Sequence, residues 1–190
     1  MKRIDERLQE MNEKINSGNV LESSGLGNEI NFRVFDYDPE DEYVVRDYLY
    51  NYLLVKNKNI IVFDIYDIII EILKEKGFLE KTFEYEKKKG AKYVNSVIQK
   101  TLAISSNSDL IVKYIKEHNI EKDKIVIITG IGKCYGIVRA HTILNNLQSV
   151  ITNNPVIMLY PGIYDGQSFK LFGILDNDNY YRAFQLVSRK

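Results

Sequence analysis

Several places in this chain combine residue types and spacings that could do chemistry. The loop Gly130-Ile131-Gly132-Lys133-Cys134 follows an apolar run and precedes a helical pattern. Phosphate-binding loops lie in that position, where free backbone N–H groups at a helix N-terminus attract anions. A Walker A loop, however, needs Gly, four residues, then Gly-Lys-Ser/Thr. Here Ile127 stands where the first Gly belongs, and Cys134 replaces the hydroxyl that holds magnesium. The ordinary reading of Gly130, Gly132 and Lys133 is a glycine turn at the end of a sheet strand; a nucleotide site is the alternative. A second group is acidic: Asp36 and Asp38, with Glu40 and Asp41 close behind, and Asp64 at the end of the next strand. Carboxylates at the carboxyl ends of neighbouring parallel strands can converge on a magnesium ion. Helix capping explains Asp38 and Glu40, and the same role suits Asp64 at the start of the next helix, so no metal site is assigned.

The remaining groups suit recognition better than reaction. His141 and Asn145 are four apart and share a helix face, whereas Arg139 lies about 200° round from His141 and points elsewhere. Neither His118 nor His141 has an evident catalytic partner, so no catalytic residue is assigned. Tyr160-Pro161-Gly162 and Tyr164-Asp165-Gly166 form a turn-rich segment, where ligands or partner proteins meet open α/β sheets. Tyr160, Tyr164 and Asp165 are interface candidates there, together with Tyr180, Tyr181 and Arg182 near the end of the chain, because Tyr and Arg dominate binding hot spots. Lys87-Lys88-Lys89 and Lys92 form a basic run, but Glu80, Glu84 and Glu86 precede it, as on a salt-bridged, solvated helix face.

Composition narrows the classes further. One cysteine excludes an intramolecular disulfide and a cysteine-based zinc site within one chain, and two histidines leave metal chemistry to carboxylates. Lys+Arg and Asp+Glu are both 26, so no whole-protein field attracts DNA or an anionic membrane. The N-terminus is charged throughout and lacks an apolar signal core. The longest apolar runs fall far short of the roughly 20 residues that span a bilayer. A cytoplasmic protein is expected.

The elements that must position these groups follow from periodicity. Ile4, Leu8, Met11 and Ile15 form one apolar stripe on a charged helix over about residues 1–17, ended at Ser17-Gly18. Ile30–Phe35 predicts a strand; Asp38-Pro39-Glu40 then opens a helix that carries Val44, Val45, Tyr48, Leu49, Tyr52 and Leu53 toward a core. Asn59–Phe63 and Lys124–Thr129 are continuous apolar runs, as strands buried on both faces require. Ile65–Gly77 is a helix, and the block from Leu79 to Asn119 predicts two or three more, the last capped by a serine or asparagine. Pro155–Tyr160 is a fourth strand, and Phe169–Leu175 alternates like an antiparallel edge. Tyr180–Val187 closes the chain as a short strand or packed extended segment. The fold expected is one three-layer α/β domain over residues 1–190, a mostly parallel sheet with helices on both faces. Its topology is P-loop-like without a Walker A loop, and its C-terminal edge is antiparallel.

Several of these strings in the same order resemble the BrxB family of BREX phage-defence systems. The matching stretches are Phe35–Pro39 (FDYDP), Thr129–Gly132 (TGIG), Arg139–Gln148 (RAHTILNNLQ), Tyr160–Gln167 (YPGIYDGQ) and Asn179–Phe184. The resemblance covers both ends of the chain and is weakest in the helical block. It implies a small accessory subunit, and the shortfalls of the glycine loop, acidic residues and histidines make a non-catalytic adaptor with no cofactor the expectation. The expected partners are the phosphatase-like PglZ first, then the ATPase BrxC and other BREX subunits, with DNA contact mainly indirect and no membrane. A degenerate nucleotide- or metal-dependent enzyme using the strand-end Asp residues is the rival. A nucleic-acid-binding module is a third reading.

Overall fold

The computed structural model describes residues 2–18, 20, 32–104, 106, 108–118, 120–122, 124–176 and 183–190. Its elements run in order α1 (Ile4–Asn16), β1 (Phe32–Tyr37), a 3₁₀ turn (Pro39–Asp41), α2 (Glu42–Asp47), a π-helical stretch (Tyr48–Leu53) and α3 (Leu54–Lys56). Then come β2 (Ile60–Asp64), α4 (Ile65–Glu75), α5 (Leu79–Lys89), α6 (Ala91–Thr101), α7 (Leu110–Glu117) and β3 (Ile125–Thr129). A 3₁₀ turn (Gly132–Cys134), α8 (Ala140–Leu147), β4 (Val156–Tyr164), β5 (Phe169–Leu171), β6 (Leu175–Asp176) and β7 (Phe184–Gln185) complete the chain.

The central sheet has the order β2-β3-β4-β1-β7, and every pairing along that path is parallel. Parallel strands are covered on both faces, which is why β3 reads as unbroken Ile-Val-Ile-Ile-Thr with all five residues buried. The pleat then divides the core in two. Val126 and Ile128 face α4, α6, α7 and α8, whereas Ile125 and Ile127 face α1 and the α2–α3 helix. This is the expected three-layer α/β architecture, with three helices in the block after Leu79. The antiparallel edge is present too: β5 pairs with the far end of β4, and β6 pairs with β5.

Four details differ from the sequence reading. The fourth strand does not stop at Tyr160 but continues through Pro161 and Gly162 to Tyr164, because β5 pairs with its last residues, Gly162 opposite Leu171. The alternating run Phe169–Leu175 is two short strands folded at Phe172 and Gly173, both with positive φ. In the helix after β1 the buried residues are Val45, Leu49 and Leu53, spaced by fours, while Val44 and Tyr52 are exposed. A strict four-residue spacing drifts off a 3.6-residue turn, and the wider π turn over Tyr48–Leu53 keeps Leu49 and Leu53 on the sheet. Lastly, α7 is capped by Asp109, which accepts from Ile111 and Val112 N–H, not by a serine or asparagine. The predicted strand start at Ile30 lies outside the described residues.

Candidate functional site at the carboxyl end of the sheet

Asp36 is the penultimate residue of β1 and is fully buried. Four donors converge on it: Arg189 Nε at 2.6 Å, Arg7 Nη2 at 3.2 Å, Gln185 Nε2 at 3.2 Å and the Tyr164 backbone N–H at 3.3 Å. Arg189 also donates to Asp38 Oδ1 and to the Gly162 carbonyl, both at 2.6 Å. Arg7 donates a further bond to the Val187 carbonyl. Burial opposes the charge of Arg189, yet the hydrogen bonds and charges of Asp38 and Asp36 hold its pKa above the ordinary arginine value. Burial lowers the pKa of Arg7, partly offset by Asp36. The carboxylates at the end of β1 are therefore saturated by arginines from the two ends of the chain. They bind the N-terminal helix and the C-terminal tail to the middle of the sheet. Asp38 makes no side-chain capping bond to the helix that follows, contrary to the capping expectation; its Oδ1 accepts from Arg189 instead.

Asp64 lies at the end of β2, separated from β1 by β3 and β4. Asp36 and Asp64 therefore do not meet, and the idea that they converge from neighbouring strands is corrected by the strand order. Asp64 Oδ1 caps α4 through the N–H groups of Tyr66 and Asp67, as expected. Its Oδ2 accepts from Lys133 Nζ at 2.7 Å and from Arg46 at 3.3 Å. Gly130 packs on this carboxylate with φ +81°, and a Cβ there would collide with Asp64 Oδ1. The glycine loop thus holds the capping aspartate, with Lys133 as its counter-ion. Cys134 is buried and donates to the Gly130 carbonyl, and burial pushes its thiol up to about 12. Among the described residues no group of three His, Cys, Asp or Glu side chains is placed to hold a metal ion.

Between these two ion clusters runs an open groove of about 420 Å³, floored by Pro39, Pro161, Gly132 and Phe172 and edged by Arg46 and Lys133. Gly132 leaves no room for a side chain against Pro161 and Phe172. Phe172 meets Tyr135 with ring centroids 6.5 Å apart, and Tyr135 is 59% exposed. Ile174, on the same β5–β6 turn, is 77% exposed, and Tyr43 beside the groove residue Glu42 is 80% exposed. Large apolar side chains gathered at one end of a sheet, rimmed by charge, mark a surface for recognition.

The other predicted residues scatter. Tyr160 and Tyr164 are core residues, 0% and 2% exposed, so they cannot be interface anchors. Extension of β4 turns both inward, and the Tyr164 hydroxyl closes bonds with Ala183. Asp165 is exposed but serves its own turn, accepting from the N–H groups of Gln167 and Ser168 and from the Ser168 hydroxyl, which lowers its pKa. Arg139 and Asn145 are exposed on α8 and its cap. His141 is half-buried beside Thr142, and burial, then Arg139, lowers its pKa. Tyr180, Tyr181 and Arg182 lie outside the described residues. Of the lysine-rich run, Lys88 pairs with Glu84 at 3.8 Å and Lys89 stacks over Tyr93, in keeping with a solvated helix face. Sequence reasoning missed Arg7, Arg46, Arg189, Tyr135 and Phe172. No local signal marks Arg7 and Arg189, whose partners are remote in sequence, and Arg46 shows only an ordinary i,i+4 pairing with Glu42 beside its contact to Asp64; the aromatics sit in loops of otherwise ordinary composition.

Comparison with known proteins places the whole chain. The family model described as BREX protein BrxB matches residues 61–186. A BREX protein BrxB of Bacillus cereus (strain H3081.97) is 45% identical over 194 residues, covering 100% of both chains. A BREX protein BrxB of Escherichia coli O9:H4 (strain HS) is 35% identical over 188 residues, covering 97% of this chain and 92% of its own. No solved structure matches. A full-length identity at this level, joined to the family match over most of the sheet, fixes the relationship: the chain belongs to the BrxB family of BREX proteins.

Proposed function

We propose that this protein is a non-catalytic adaptor of a BREX phage-defence system, docking on PglZ and bridging to BrxC through the carboxyl-end surface of its sheet. The observation that carries the reading is the contrast between two kinds of residue at that end. The ionisable groups that chemistry would need are engaged internally: Asp36 by two arginines, Asp64 by a helix N-terminus, Lys133 and Arg46. Of the apolar groups, Tyr43, Tyr135 and Ile174 are exposed, and half-buried Phe172 floors the groove and meets the Tyr135 ring. An aromatic centre with a charged rim is what a hot-spot interface requires.

Co-purification tests the reading. Tagged full-length protein retains PglZ at high salt, and BrxC is retained only when PglZ is present. Apolar docking is insensitive to screening, whereas a charge-driven contact weakens as salt rises. Absence of every BREX subunit from the eluate contradicts the proposal.

A further inference from the structure

A cleft of about 330 Å³ lies between the β3–α8 loop, the start of α8 and the β5–β6 turn. It shares no lining residue with the groove described above, and the two approach each other at Tyr135 and Phe172. Its volume is at the lower end of small-molecule sites, roughly 300–1,000 Å³.

Three features converge on this cleft. Arg139 is the N-cap residue of α8 and lines the wall with Ala140. It is exposed and makes no ion pair with any described residue, unlike Arg7, Arg46 and Arg189. Among the described residues no side chain caps the N-terminus of α8, so the Ala140 and Thr142 N–H groups are available to an anion. Independently, Tyr160 lies in the wall of the same cleft, 0% exposed, with a hydroxyl that has no hydrogen-bond partner among the described residues. A buried hydroxyl left unpaired costs stability, and a ligand acceptor removes that cost. Ile131, Val138 and Leu171 supply apolar walls, and Tyr135 stands at the rim.

We propose that the cleft binds a phosphate monoester of mononucleotide size. The phosphate sits on Arg139 and the α8 N-terminus, the flat organic part lies against the apolar walls, and one of its acceptors takes the Tyr160 O–H. A guanidinium and a helix N-terminus together suit a phosphate dianion, because both present several N–H donors to one group of oxygens. The cleft shares Tyr135 and Ile174 with the proposed docking surface, but Arg139 and Tyr160 lie outside the docking groove, so substitutions at those two residues test the ligand separately from docking.

Isothermal titration of the full-length protein with AMP, GMP, CMP and UMP, and separately with adenosine and inorganic phosphate, tests it. At least one nucleotide binds more tightly than adenosine or phosphate alone. Arg139→Ala weakens that binding about tenfold or more, as for a hydrogen bond to a charged group, and Tyr160→Phe weakens it about three- to tenfold. Tyr160→Phe removes a hydroxyl that has no partner, so it unfolds at a temperature equal to or above wild type; this keeps the loss of binding distinct from a loss of fold. Absence of binding by all four nucleotides at millimolar concentration overturns the proposal. So does binding that Arg139→Ala leaves unchanged, or inorganic phosphate binding as tightly as every nucleotide.

Discussion

Asp36→Asn keeps the shape of the side chain and removes its charge. In the wild type that charge faces Arg7 and Arg189, whose side chains are 5% and 16% exposed. Breaking a buried pair by removing one partner costs about 3–5 kcal/mol, because the remaining charge has lost its solvation and its counter-ion. Arg189 keeps Asp38 and the Gly162 carbonyl, which argues for the lower half of that range. In a chain of this size each kcal/mol moves the midpoint by about 2–4 °C, so a loss of about 3–4 kcal/mol lowers Tm by roughly 6–16 °C. Urea and thermal unfolding followed by far-UV circular dichroism read this directly. A second variant, Arg189→Ala, removes the tail guanidinium alone. Its loss and that of Asp36→Asn are less than additive when combined, since both break one network. The reasoning is refuted if Asp36→Asn stays within about 1 kcal/mol of wild type, or if the two losses add within about 0.5 kcal/mol.

Gly130→Ala forces a side chain into the Asp64 carboxylate at positive φ; it lowers stability by about 2 kcal/mol or more, measured by urea titration, and an unchanged midpoint contradicts the packing described. Cys134 stays unlabelled by a thiol reagent at pH 8 in the native protein and reacts only on unfolding, because burial holds its pKa at about 12; rapid native labelling contradicts this. Asp165 has a folded pKa below its unfolded value. Its stabilising contribution is therefore present above the unfolded pKa and fades as pH falls through the folded one, which carboxyl NMR titration follows. A native Asp165 titrating at or above about 3.9, the unperturbed value, contradicts the turn assigned to it.

The parallel strands were legible because burial on both faces writes itself as uninterrupted apolar runs, as in Ile125–Ile128 and Ile60–Phe63. The Asp64 cap was legible for a similar reason: donor and acceptor are two and three residues apart. What failed depended on distant partners. Asp38 has the local look of a cap, but Arg189, 151 residues away, claims its oxygen. The Tyr-Pro-Gly-Ile-Tyr string reads as a loop on its turn residues, yet pairing with β5 carries it into the sheet and buries both tyrosines. The acidic pair Asp36 and Asp64 suggested a shared site only while strand order was unknown; two intervening strands separate them. Periodicity alone also assigned too wide a stripe to the helix after β1, because the π turn is invisible to a 3.6-residue template.

Quantitative binding of purified full-length protein to purified PglZ, compared with the double variant Tyr135→Ala/Phe172→Ala, tests the docking surface most directly. The account predicts binding by the wild type that persists at high salt, and at least a tenfold weaker affinity for the variant with its fold retained by far-UV circular dichroism, since two central aromatic anchors each contribute about 1 kcal/mol or more. Equal affinity of wild type and variant for PglZ, or no binding by either, contradicts it.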